Sequence, residues 1–114
     1  MTRGLGNLKH AMVAEPKSSK REFRSVGVCA GSGSGVLKEC KAELLFSGEM
    51  SHHDALRATM LGQTVVTVFH SNSERQFLRD RLAPSLTDNL GPGVKVLVSE
   101  EDHDPYSVIA ANEI

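Results

Sequence analysis

From residue 26 onward the chain alternates short apolar runs with polar stretches that suit helices. Residues 26–30 (VGVCA) form a continuous apolar run that stops at Gly31. Residues 43–47 (ELLFS) form a second that stops at Gly48. Residues 64–69 (TVVTVF), rich in β-branched side chains, form a third that ends at His70, and residues 94–98 (VKVLV) form a fourth. These runs do not alternate apolar with polar, which predicts strands buried on both faces, the habit of parallel sheets. Between them, residues 35–41 read as a short helix. Residues 51–61 read as a longer one, with Leu56 and Met60 four apart on one face and Gly62 as its C-terminal stop. Residues 72–83 carry Phe77, Leu78 and Leu82. Pro84 lacks a backbone N–H, so a kink or restart is expected there, with 85–90 as a last turn before Gly91.

Upstream, residues 10–14 (HAMVA) read as one more strand. Residues 15–24 (EPKSSKREFR) read as a polar connection. Its Lys17, Lys20, Arg21 and Arg24 are expected to be a solvated loop rather than a nuclear signal or a nucleic-acid arm. The organisation is therefore an N-terminal extension over 1–25 and an α/β domain over 26–114. The fold class is α/β, a layered, mostly parallel sheet flanked by helices.

Composition narrows the partners. A chain of 114 residues supports one modest core. Its net charge of −1 gives no whole-chain attraction to nucleic acid or acidic membranes, and with one Tyr, four Phe and no Trp it lacks stacking platforms for bases. Direct nucleic-acid binding is not expected. No apolar run reaches the roughly 20 residues that span a bilayer, and residues 1–9 hold no apolar signal segment. Cys29 and Cys40 show no CxxC spacing, which points to a reducing compartment, the cytoplasm.

Three polar clusters directly follow three of the expected strands: GSGSG over 31–35, GEMSHHD over 48–54 and HSNSE over 70–74. In a parallel sheet all three stand at one carboxyl edge, where such folds bind ligands. The glycine cluster could aim N–H groups at an anion, but it lacks the third spaced glycine of a dinucleotide fingerprint and a Walker lysine. A tight strand-to-helix turn needing positive φ is preferred. In the second cluster Glu49, His52, His53 and Asp54 could ligate a metal or move protons, while Ser51 with Asp54 also spells a capping box. In the third, His70 and Glu74 stand four apart, a spacing suited to a divalent ion, while Ser71 with Glu74 spells another capping box. The two roles are not exclusive.

At these residues the chain resembles the C-terminal portion of the NIF-three-like family, also described as GTP cyclohydrolase I type 2 homologues, and is closest to its eukaryotic branch. The blocks VCAGSGSGVLKECKAELLFSGEMSHHDAL and VVTVFHSNSERQFL carry the resemblance, which runs from about His10 to Ile109. It implies half of an α/β fold that encloses a two-metal centre and assembles into a closed homo-oligomer. The family's HxxxE ligands correspond to His70 and Glu74, binding a divalent ion that could be zinc, manganese or iron. Glu49 falls at an acidic position beside the site, and His52 and His53 are supporting candidates rather than ligands. Family members are longer, and their N-terminal half supplies a histidine motif and an aspartate. No such motif precedes residue 31, and Met1 to Asn7 lies outside the resemblance, so a fragment, truncated product or short paralogue is expected.

The function expected from this resemblance is a metal-binding half-domain of a dinuclear-metal hydrolase, with Glu49 or His53 as the catalytic proton carrier. Two matched ligands fall short of the usual three, so weak or absent activity is expected of this chain alone. No pterin- or guanine-reading pocket can be named. The alternative is a non-catalytic interaction module that binds a transcription-regulatory protein, which would add the nucleus to the cytoplasm. A nucleotide binder using GSGSG is a third reading.

Overall fold

The β-branched and leucine-rich runs build one four-stranded sheet. The structure, a computed structural model, describes residues 2–18 and 22–113. The strands are β1 (Met12–Ala14), β2 (Val26–Ser32), β3 (Leu44–Glu49) and β4 (Thr64–Thr67), in the order β1-β4-β3-β2. β2 with β3 and β3 with β4 pair in parallel, while β1 runs antiparallel along β4. The mostly parallel α/β sheet expected from the sequence is present, and the N-terminal extension supplies one of its two edge strands. Lys20 and Arg21, read as part of a solvated basic loop, lie outside the described residues.

Short helices make the crossovers. α1 (Ser34–Leu37) links β2 to β3, and α2 (His52–Met60) links β3 to β4. Both cover the same sheet face, so Leu37, Leu45, Ala58 and Val65 form the core cluster, with Cys29 and Cys40 packed against it as free thiols. Leu45 and Val65 are 3% and 2% exposed. Side chains buried to that degree contribute about 1.5–3 kcal/mol each. β3 is buried from Leu44 to Gly48, which explains its unbroken apolar run. β2 behaves differently, because it is an edge strand. Val26 and Val28 are exposed, and its burial alternates along the strand.

Caps account for the helix boundaries. Ser51 accepts the Asp54 backbone N–H at 3.2 Å and donates its hydroxyl to the Asp54 carboxylate at 2.5 Å, which realises the capping box at α2. That bond, followed by the Ser34 hydroxyl, holds the Asp54 carboxyl below its ordinary range. Past β4 the helical run comprises α3 (Arg75–Phe77), a π-helical turn (Leu78–Leu82) and α4 (Ala83–Leu90). Pro84 sits in the first turn of α4, where its missing N–H matters least, and the π turn precedes it. The kink expected at Pro84 is thus a local widening of the helix.

Residues 94–98 depart from expectation. They form no strand, although their composition suits one. β3 and β4 have partners on both sides, and the segment lies instead beside Leu78, Leu82 and Leu86 of the helical run. Ion pairs just downstream, Arg79 with Glu100 and Arg75 with Asp102, tether the chain to that flank. Side-chain packing against the helix has prevailed over strand propensity.

Candidate metal centre

Because β2, β3 and β4 run in parallel, the three polar clusters leave the sheet at one edge. Backbone and side-chain bonds then weld them together. The Gly33 N–H donates to the Glu49 carbonyl at 3.1 Å, and the Val68 N–H is shared between the carbonyls of Ser47 and Gly48 at 3.2 and 3.1 Å. The Gly31 N–H donates to Ser73 Oγ at 2.7 Å, and that hydroxyl donates to the His70 carbonyl at 2.6 Å. Fully buried Ser47 donates to the carbonyl of Gly31 at 3.1 Å. Thus the strand ends, rather than long loops, fix the site.

Two glycines let the clusters approach. Gly31 has φ of +64°, where the β2–β3 register slips. A Cβ there would lie 2.8 Å from Glu74 Oε1 and 2.9 Å from His70 Nε2. A Cβ on Gly48 would lie 2.7 Å from the Gly31 carbonyl oxygen and 3.0 Å from His70 Cα. The positive φ expected of GSGSG occurs at Gly31, inside β2 at the slip in register, whereas Gly33 at the turn into α1 has φ of −86°. The absent side chain of Gly31 also leaves a cradle in front of His70 and Glu74.

Phe69 has φ of +69°, although it is bulky and not glycine. That conformation costs about 1–2 kcal/mol and persists only where the surroundings over-determine it. It turns the chain out of the sheet so that His70 faces the other two clusters. His70 Nδ1 lies 2.8 Å from Glu49 Oε1, and Nε2 lies 3.6 Å from Glu74 Oε1. Glu49 therefore fixes the ring from one side, the arrangement by which carboxylates orient metal-ligating histidines. Ligand bonds of about 2.0–2.1 Å set tetrahedrally put two donor atoms about 3.3 Å apart. The 3.6 Å spacing over the Gly31 cradle fits a shared ion. Among the described residues, however, no cluster of three or more His, Cys, Asp or Glu side chains is close enough to hold a metal.

The capping box expected of Ser71 and Glu74 does not form. The Glu74 N–H donates to the Ser71 backbone carbonyl at 3.1 Å, within a 3-10 turn (Ser71–Ser73). The Ser71 hydroxyl instead accepts from Arg75 at 2.8 Å and donates to Asp104 at 3.3 Å. This frees the Glu74 carboxylate to face His70. His52 and His53 meet each other edge to face, with ring centroids 5.4 Å apart. No hydrogen bond or ion pair joins either to His70 or Glu74 among the described residues.

Electrostatics at the site are dominated by one contact. The hydrogen bond to Glu49 raises the His70 pKa above the ordinary histidine value; burial opposes it, while the charges of Glu49, Glu74 and Asp104 add to it. The protonated pair therefore stabilises the metal-free fold below the unfolded histidine value, and this is lost as pH rises through the higher folded value. Glu49→Gln is expected to lower the His70 titration midpoint in the metal-free chain, followed by NMR of the imidazole protons. An unchanged midpoint would contradict the role given to Glu49.

Comparisons with known proteins give the chain its family. The family Duf34/NIF3 (NGG1p interacting factor 3) matches residues 2–105, nearly the whole chain. The chain belongs to the Duf34/NIF3 family. It is 42% identical over 106 residues to NIF3-like protein 1 of Drosophila melanogaster, covering 93% of this chain and 36% of that protein. It is 44% identical over 101 residues to NGG1-interacting factor 3 of Saccharomyces cerevisiae, covering 86% of this chain and 34% of that protein. A solved Bacillus cereus protein related to NIF3 superposes with a TM-score of 0.70 at 26% identity, covering 95% of this chain and 30% of that one. The chain therefore spans about a third of the length of the curated relatives it matches.

Within this NIF3 frame, Glu49, His70 and Glu74 are brought together, while among the described residues no hydrogen bond or ion pair joins His53 to them. Gly48 marked only the end of an apolar run, and Ser73 had no part in either the metal or the capping reading of HSNSE. Asp104 and Tyr106 carried no signal, because nothing in the spacing of 99–109 ties that stretch to residue 70.

Proposed function

We propose that this chain carries one wall of a divalent-metal centre, with His70 and Glu74 as ligands and Glu49 as the group that orients His70. The observation that carries it is the 3.6 Å approach of His70 Nε2 to Glu74 Oε1 over the side-chain-free Gly31. An imidazole and a carboxylate suit zinc, manganese or iron. When bound, the ion would supply an acidified water and polarise the oxygen of an ester or anhydride, the chemistry of metal-dependent hydrolysis. Glu49 keeps Nδ1 engaged and leaves Nε2 to the ion. Gly31 keeps the space in front of it open.

Two donors hold an ion loosely, because catalytic sites ordinarily use three protein ligands with a water position left open. The 114-residue chain alone is therefore a poor hydrolase. Phosphoesterase and nucleotide-hydrolysis assays with Mn²⁺ or Zn²⁺ should stay at background. Turnover well above background that disappears in His70→Ala would overturn the claim of a poor catalyst. The second reading is a protein-interaction module linked to transcriptional regulation. The yeast relative's name, NGG1-interacting factor 3, favours it. Binding of such a partner that survives His70→Ala would separate it from the metal chemistry.

A further inference from the structure

The strained turn at Phe69 and His70 is braced from two sides. On the inner side stand Gly31 and Gly48, whose missing side chains allow the approach. On the outer side lies a strap formed by residues 102–106. The Asp104 carboxylate accepts the Ser71 hydroxyl through one oxygen at 3.3 Å and the Tyr106 N–H through the other at 3.0 Å. The Tyr106 ring stacks on Phe69 with centroids 6.5 Å apart and planes 29° apart. Asp102 receives Arg75 at 2.9 Å, and Arg75 in turn donates to Ser71 at 2.8 Å and to Asn72 at 2.6 Å. These contacts come from one five-residue stretch and fall on Phe69, Ser71 and Arg75, which flank His70 and Glu74 in the chain. A bulky residue at positive φ needs such bracing, since it would otherwise relax to an ordinary conformation and swing the next side chain away.

We propose that Asp104 is a positioning residue: together with Tyr106 it locks the Phe69 to Ser71 turn so that the His70 ring stays aimed between Glu49 and Glu74 over Gly31. Asp104 acts through Ser71 and its own Asx-type turn, not as a ligand. The metal consequence rests on the reading of His70 and Glu74 as ligands, whereas the bracing itself does not.

The test uses the full 114-residue chain and two readouts. The first is hydrogen exchange of the Gly31 amide, whose bond to Ser73 Oγ joins the sheet to the turn. The second is Co²⁺ binding followed by its visible absorption. Asp104→Ala should speed Gly31 exchange while leaving core amides such as Val65 unchanged. It should also weaken Co²⁺ binding about tenfold, the lower end of what loss of a supporting partner costs a metal site. Asp104→Asn, which keeps an acceptor for Tyr106 and a polar group for Ser71, should restore both. Tyr106→Ala, which removes the ring from Phe69, should move both in the direction of Asp104→Ala. Local acceleration at Gly31 with no Co²⁺ binding by any form, unmodified chain included, would leave the brace standing and sink the metal reading. Unchanged Gly31 exchange in Asp104→Ala, or a uniform acceleration that reaches the core amides in both Asp104→Ala and Tyr106→Ala, would overturn the proposal.

Discussion

Replacing Gly31 with alanine should abolish divalent-metal binding while the fold survives. Two effects act together. The residue holds φ of +64°, where an alanine costs about 1–2 kcal/mol. The new Cβ would also stand 2.8 Å from Glu74 Oε1, 2.9 Å from His70 Nε2 and 3.2 Å from His70 Cε1. All three atoms lie at side-chain ends that can swing aside, so the steric part costs the fold little. It costs the site its geometry, because the atoms that must move are the two proposed donors. Thermal unfolding should therefore show a modest loss, and a metal titration should show no binding. A Gly31→Ala chain that binds metal as the parent does would contradict the cradle.

The second large effect is expected at Gly48, and there stability should fall most. A Cβ at this position would meet the Gly31 carbonyl oxygen at 2.7 Å, Ser73 Oγ at 2.6 Å and His70 Cα at 3.0 Å. Two of those atoms are backbone and belong to different elements, so neither can rotate away. Relief requires β2 or the turn at His70 to shift, and the Gly31 to Ser73 and Ser47 to Gly31 bonds shift with them. Overpacking of this kind costs about 1–3 kcal/mol, and the broken bonds add to it. Denaturant unfolding of Gly48→Ala should register that loss. A change within about 0.5 kcal/mol, the range of an inconsequential surface substitution, would show that the clusters are not in fact so tightly joined.

Much of this arrangement was legible in the sequence, for identifiable reasons. The runs at 26–30, 43–47 and 64–69 have continuous apolar content and hard stops at Gly31, Gly48 and His70, and these gave three parallel strands with one shared carboxyl edge. The Ser51 with Asp54 cap followed from local spacing because both partners lie within one turn. The failures share a cause in non-local contacts. Residues 94–98 have a strand's composition, yet the choice between sheet and helix flank depends on which edge is free and on ion pairs from Arg75 and Arg79. Ser71 and Glu74 spell a capping box, but the Ser71 hydroxyl donates to Asp104, 33 residues away, and accepts from Arg75, which is itself held by Asp102. The positive φ of Phe69 had no local signal at all, since glycine or asparagine ordinarily marks it.

Zinc titration of the purified 114-residue chain, by calorimetry with parallel equilibrium dialysis, bears most directly on the site built from His70 and Glu74. The account predicts one weakly held, freely exchanging ion per chain, lost in both His70→Ala and Glu74→Gln and strengthened as pH rises through the elevated His70 value. Zinc binding that is undiminished in His70→Ala and Glu74→Gln would contradict it.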